Sequence, residues 1–185
     1  MYRVKIVIVG SPKSGKTYIT NLLSEAVENV SGDYHPTKGV RIVEYECDQL
    51  NVNGKLARAE VELWDTSGDQ KYESCWPAIQ RDTHGVILLY DPAFEEQARH
   101  LDILYSHFVT QQGLKEQQCI IFSNKKPGGS QASLKLSSML SRVPQIDLDL
   151  SSQPTALKTE IQRFLSEVLK VASQKRDQDE MLLIK

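Results

Sequence analysis

One octapeptide, Gly10-Ser-Pro-Lys-Ser-Gly-Lys-Thr17, constrains the fold of this chain more than any other stretch. It follows an apolar run of strand length, Val4 to Val9, and precedes Ile19, Leu22, Leu23 and Ala26 at helical spacing. That strand-loop-helix setting is the one in which G-x-x-x-x-G-K-[S/T] acquires a mechanism. Glycine lets the loop curl until its backbone N–H groups point inward at phosphate oxygens, and the following helix adds its positive end. The expected phosphate-binding set is therefore Gly10, Ser11, Pro12, Lys13, Ser14, Gly15, Lys16 and Thr17. Lys16 supplies a point charge to the outer phosphates, and the Thr17 hydroxyl is available to Mg²⁺.

Composition narrows the class without naming a function. At 185 residues, with 40% hydrophobic and 25% charged residues, the chain fits one soluble domain with a sizeable core. A net charge of −2 gives no electrostatic reason to expect nucleic acid or an anionic membrane as partner. Cys47, Cys75 and Cys119 are odd in number and lack metal-ligand spacing, so they read as reduced thiols of a cytosolic protein. His35, His84, His100 and His107 also lack ligand spacing and read as ordinary loop or surface residues. No stretch has the length and apolarity of a membrane span. The last six residues hold no cysteine to prenylate, and Tyr2 in place of glycine excludes myristoylation, so no direct membrane anchor is expected.

Hydrophobic periodicity lays out an alternating order of strands and helices. A helix is expected over about 16–28, then a turn-rich segment from Ser31 to Pro36. Val43, Tyr45 and Cys47 alternate with Glu44 and Glu46, as do Ala59, Val61 and Leu63 with Arg58, Glu60 and Glu62. Asn53-Gly54 between them is a hairpin signal, so the two half-exposed strands pair antiparallel at one sheet edge. Gly85–Tyr90 and Cys119–Ser123 are continuous apolar runs, expected of strands covered on both faces. Apolar stripes over 98–108 and 155–172 predict helices packed on the core, and the Gly/Ser-rich stretch 126–142 predicts a loop with at most a short helix. The fold class is α/β: about six strands, mainly parallel, one antiparallel edge strand, helices on both faces, ligand at the carboxyl ends of the strands. The domain is expected over 1–173, with 174–185 as a tail whose Met181 to Ile184 reads as a helix end or a short docking segment.

Three further stretches distinguish among phosphate-loop proteins. Trp64-Asp-Thr-Ser-Gly68 places Asp65 at a strand's carboxyl end, where it can hold Mg²⁺ through water, and lets the Gly68 N–H meet a γ-phosphate. Thr37 lies in the loop before the second strand, and Asn124-Lys125, after the fifth, suits base recognition. Together these resemble the Ras superfamily, and within it the Rab-like small GTPases, from Val4 to about Ala172. The resemblance implies GTP/GDP and Mg²⁺ as ligands, with Thr37 and Thr17 on the metal and Asp65 in its outer shell. Lys16, Thr37 and Gly68 would act on the γ-phosphate, and the loops around Thr37 and Gly68–Trp76 would be nucleotide-ordered switches. Pro36–Glu44, Glu62–Asp65 and Tyr72–Ala78 are similar to the divergent Rab-like GTPase subgroup of the intraflagellar transport B complex. That similarity implies coiled-coil subunits of the complex as partners, and the cytoplasm and the cilium or flagellum as location.

Three positions depart from the family pattern. Where small GTPases carry the water-orienting glutamine directly after the Asp-x-x-Gly glycine, this chain has Asp69, with Gln70 one residue later. An ionised carboxylate repels phosphate and donates no hydrogen bond. Pro12 would crowd an arginine supplied by a helper protein. The family's Asn-Lys-x-Asp reads Asn124-Lys-Lys-Pro127 here, and Pro127 offers no side-chain acceptor to guanine. Asp147 or Asp149 is a candidate replacement, the alternative being a solvated acidic turn. The expected function is a GTP-binding, nucleotide-dependent binding subunit with slow or absent hydrolysis. The alternatives are a GTPase cycling on a helper arginine and, more weakly, a small-molecule kinase, for which a lid with clustered arginines is lacking. Tyr72, Trp76 and Pro77 are expected either at a partner interface or packing the second switch on the sheet.

Overall fold

The computed structural model describes residues 1–25, 35–126, 128 and 134–183. Six strands form one sheet: β1 (Tyr2–Gly10), β2 (Val40–Val52), β3 (Lys55–Thr66), β4 (Gly85–Tyr90), β5 (Cys119–Asn124) and β6 (Gln145–Leu148). Their order is β2-β3-β1-β4-β5-β6. The β2–β3 pair is antiparallel and every other pair is parallel, so the hairpin forms the expected edge.

The apolar run of β1 divides by strand alternation. Val4, Ile6 and Ile8 enter one core layer, whereas Val7 and Val9 enter the other. The first layer is closed by α1 (Lys16–Leu23) through Ile19 and by α4 (Pro154–Leu183) through Leu157, Ile161, Phe164, Leu165 and Val168. The second is closed by α2 (Trp76–Gln80) through Ile79 and by α3 (Glu95–Tyr105) through Leu101, Leu104 and Tyr105. Each buried aliphatic side chain contributes about 1.5–3 kcal/mol, and a one-residue slip would exchange the two layers along a whole strand. Register is therefore firmly set in the centre of the sheet.

The elements differ from expectation mainly in length. β2 continues past Cys47 because a register shift between Cys47 and Leu50, with Gln49 at φ 59°, returns Leu50 and Val52 to the core. At the hairpin Asn53 and Gly54 both take positive φ, and the Gly54 N–H donates to Asn51 Oδ1. α3 starts earlier than expected, with Glu95 and Glu96 favourably placed in its first turn. It leads into a π-helical turn, Ser106–Thr110, which lets the adjacent residues Phe108 and Val109 both be buried. α4 runs on to Leu183, past the last residue of its apolar stripe. Among its described residues, the loop before β6 contains only the short 3₁₀ turn Ser138–Leu140. The continuation of α1 over 26–28, the turn residues 31–34, Pro127 and the last two residues lie outside the described residues.

Candidate functional site

Parallel strands β1, β3, β4 and β5 bring their carboxyl ends to one edge, and the phosphate loop leaves β1 there. Asp65 lies opposite Ile8 in the β3–β1 register, two residues before Gly10. The loop fits only with glycine at its ends. A Cβ on Gly10 would sit 2.2 Å from the Leu89 carbonyl oxygen, and Gly15 holds φ +109° at the start of α1. Lys13 also takes positive φ, and Ser14 is fully buried.

Lys16 is buried and donates to the carbonyls of Gly10 (2.9 Å) and Ser11 (2.8 Å), bracing the loop from within. Burial lowers its pKa from the ordinary 10.5 to about 8, against the opposing pull of Asp65. The ammonium is thus in place and short of negative charge, the condition under which a polyphosphate gains most from meeting it.

Thr17, Thr37 and Asp65 converge beside it. Thr17 Oγ1 donates to Asp65 Oδ2 at 2.8 Å and lies 3.2 Å from Thr37 Oγ1. The Thr37 hydroxyl also reaches Asp65 Oδ2, at 3.5 Å. Asp65 is fully buried; burial raises its pKa, while the Thr17 hydrogen bond and Lys16 oppose the rise. Its second oxygen, Oδ1, is buried with no hydrogen-bond partner, and so is Ser14 Oγ. Two hydroxyls and a carboxylate with one uncommitted oxygen form a hard-oxygen set, the donor chemistry that suits Mg²⁺. A cavity of about 460 Å³ adjoins these groups; Pro12, Lys16, Thr37, Tyr18, Gly68 and Asp69 are among its walls.

Gly68 is seated on the phosphate loop itself. A Cβ there would lie 2.4 Å from Pro12 N and 2.7 Å from the Gly10 carbonyl oxygen. The next residue, Asp69, lines this cavity and also a neighbouring groove against α3; Gln70 is among the walls of the groove, with Ser11 and Pro12, and not of the cavity. The Asp69 carboxylate accepts from the Lys71 N–H (3.0 Å) and pairs with Lys71 Nζ (2.9 Å), which hold its pKa below the usual carboxylate range. It remains ionised at neutral pH.

At the end of β5, Asn124 Nδ2 donates to the Ser14 carbonyl at 3.1 Å, tying that strand to the phosphate loop. Its Oδ1 is buried and unpartnered. The two candidate replacement carboxylates are already engaged. Asp147 pairs with Lys125 Nζ at 2.8 Å, and Asp149 accepts from the Ser151 N–H and from the hydroxyls of Ser151 and Ser152. Leu150 stands against Gly15, its Cδ1 3.0 Å from where a Cβ would lie. Pro127 lies outside the described residues.

Sequence reasoning missed three histidines, each of which makes a specific contact. His84 Nδ1 accepts from the Lys5 N–H, and His107 stacks edge-on against Trp76. His100 Nδ1 lies 3.3 Å from Ser11 Oγ in the phosphate loop. Its helical phase, four residues before the buried Leu104, was the available signal. Of the three second-switch residues, Trp76 packs its ring against Phe108 as well as His107, Tyr72 is half-buried, and Pro77 is exposed.

Known proteins are similar to this chain. The family described as Roc, the Ras of Complex domain of DAPkinase, matches residues 5–127. The "Intraflagellar transport protein 22 homolog" of Danio rerio is 36% identical over 186 residues, covering all of both chains. The GDP-bound crystal structure of T. brucei IFT22 superposes with TM-score 0.68 at 23% identity, covering 91% of this chain and 97% of that one. The GTP-bound T. brucei IFT22/74/81 structure gives TM-score 0.66 at 23% identity, with 92% and 99% covered. At that identity the two structures speak for the fold.

Proposed function

Because this chain belongs to the Ras-like intraflagellar transport protein 22 family, we propose that it binds GTP with Mg²⁺ and serves as a nucleotide-ordered subunit of an intraflagellar transport B complex. The observation that carries the reading is the meeting of Thr17, Thr37 and Asp65, which joins a residue of the first switch loop to the candidate metal site. When bound there, Mg²⁺ would neutralise charge on the outer phosphate oxygens. Thr17 and Thr37 would hold it directly, with Asp65 behind them. Lys16 would turn from the loop carbonyls to the phosphates, and the Gly68 N–H would meet the terminal one. A triphosphate thereby rewards the ordered form of both switches, and a partner can read that order.

The GTP- and GDP-bound structures of the T. brucei relative support guanine nucleotides as the ligand class, and the complex named IFT22/74/81 supports other subunits of the complex as partners. Coiled-coil subunits, and action in the cytoplasm and the cilium or flagellum, follow from the same kinship. Asp69 argues for slow or absent hydrolysis. A carboxylate pinned to Lys71 at the wall of the phosphate cavity neither donates to an attacking water nor welcomes phosphate charge. Gln70 lines the groove beside α3 and is not among the walls of that cavity. The test is equilibrium binding of fluorescent GTP with Mg²⁺ and competition by GTP and ATP, followed by single-turnover hydrolysis. Displacement by GTP at concentrations well below ATP, with most triphosphate intact after an hour, is expected. Equal displacement by ATP would defeat the guanine assignment, and turnover within minutes would defeat slow hydrolysis.

A further inference from the structure

We propose that His100 is a positioning residue of the nucleotide site, tying α3 to the phosphate loop through Nδ1 and, through one buried water on Nε2, to the Gly68 turn. The first tie is the 3.3 Å approach of Nδ1 to Ser11 Oγ. The second follows from the other ring nitrogen, which is buried and has no hydrogen-bond partner in the protein. Beside it lies a cavity of about 10 Å³ whose walls include Gly10, Thr66, Gly68, Asp69, Gln70 and His100. That volume accommodates about one water and no larger ligand. Gly10 and Gly68 can present only backbone atoms to it.

The chemistry closes on both sides of the ring. A neutral imidazole has one donor and one acceptor nitrogen; a serine hydroxyl and a water can each meet either. Leaving the buried Nε2 unpaired would be costly, whereas a water in this cavity, hydrogen-bonded to the Gly68 turn, satisfies it. Burial, and secondarily Lys16, lower the His100 pKa against the pull of Glu73, which keeps the ring neutral near pH 7. The imidazole thus stands behind the contact between Gly68 and the phosphate loop. Removing it loosens the Gly68 turn, and with it the response to the terminal phosphate. This inference rests on the reading that the Gly68 N–H meets that phosphate.

The experiment compares affinities for GDP and a non-hydrolysable GTP analogue in His100→Leu, His100→Asn and His100→Gln. His100→Leu should lose about tenfold in triphosphate affinity and less for diphosphate. His100→Asn, whose amide reaches the Nδ1 position, should recover diphosphate binding only, and His100→Gln, reaching the Nε2 position, should recover the triphosphate preference. A wild-type triphosphate-to-diphosphate ratio in His100→Leu overturns the proposal, as do equal ratios in the Asn and Gln variants should the Leu variant not fold. Gly68→Ala is the control. If it leaves the ratio unchanged, the reading of Gly68 fails; if it shifts the ratio while the His100 variants do not, only the role of His100 fails.

Discussion

Lys16 carries its charge into a site that does not yet match it, and the consequence is measurable as a proton. In the nucleotide-free protein its pKa is about 8, below its ordinary value because of burial. Phosphate oxygens favour the charged form and raise it, so binding above pH 8 takes up a proton. Nucleotide affinity should be flat below pH 8 and fall by up to about tenfold per pH unit above it. Calorimetry at pH 8.5 in buffers of different ionisation heat should show the uptake, and Lys16→Met should abolish it. The nucleotide-free fold responds in the opposite sense. A lysine with a depressed folded pKa penalises the fold below about 8, and stability returns as pH rises toward the ordinary lysine range. At the neighbouring wall, Asp69→Gln replaces a pinned carboxylate with an amide able to orient water. Single-turnover hydrolysis should rise by about tenfold or more. An unchanged rate would place the block elsewhere, with Pro12 the next position to change. At this scale Gly10–Thr17, Asp65 and Asn124 were legible in sequence because each sits at a fixed offset from a strand end. The contacts of His100, His84 and His107 were not, because they join residues 79 to 89 positions apart in two cases and form on a short switch helix in the third.

Helix α2 has five residues, too few to persist alone, and its stability comes from what Trp76 and Ile79 touch. Trp76 stands at ring-centroid distances of 5.1 Å from His107 and 5.2 Å from Phe108, spanning from the second switch to the π-helical turn after α3. Trp76→Ala should destabilise the protein by about 2 kcal/mol, less than for a fully buried tryptophan because the ring is partly exposed. Chemical denaturation would measure it. The same variant should weaken nucleotide affinity far less than Thr37→Ala, which removes one of the three converging oxygen groups. If both lose triphosphate binding equally, the second switch and the phosphate site cannot be treated as separable. The strands were legible as elements because burial on two faces leaves unbroken apolar runs, as in β4 and β5. Their lengths were less so. The shift at Gln49 hides Leu50 and Val52 from a period-two reading, and the π turn hides the packing of Phe108 beside Val109.

Across the molecule, α4 is the longest element, 30 residues or about 45 Å. Ser173 is its last buried residue among those described, and Met181 and Leu182 are 71% and 72% exposed. Beyond Ser173 every described side chain is exposed, and among them Arg176 stands over the Tyr2 ring. Deleting 174–185 should therefore move the melting temperature by no more than about 2 °C. A larger loss would mean that the terminal turns belong to the folded body. The hydrophobic pattern could predict where α4 stops packing but not where it stops being helical, since charged and polar residues of good helix propensity continue it. Gly68 carries a different kind of consequence. It rests on the phosphate loop with less than a methyl group's clearance, so the two surfaces are either seated or apart, with little room for a half-closed pose. Read by a partner, such a contact behaves as a latch rather than a dial: occupancy changes how often it is shut, not how far.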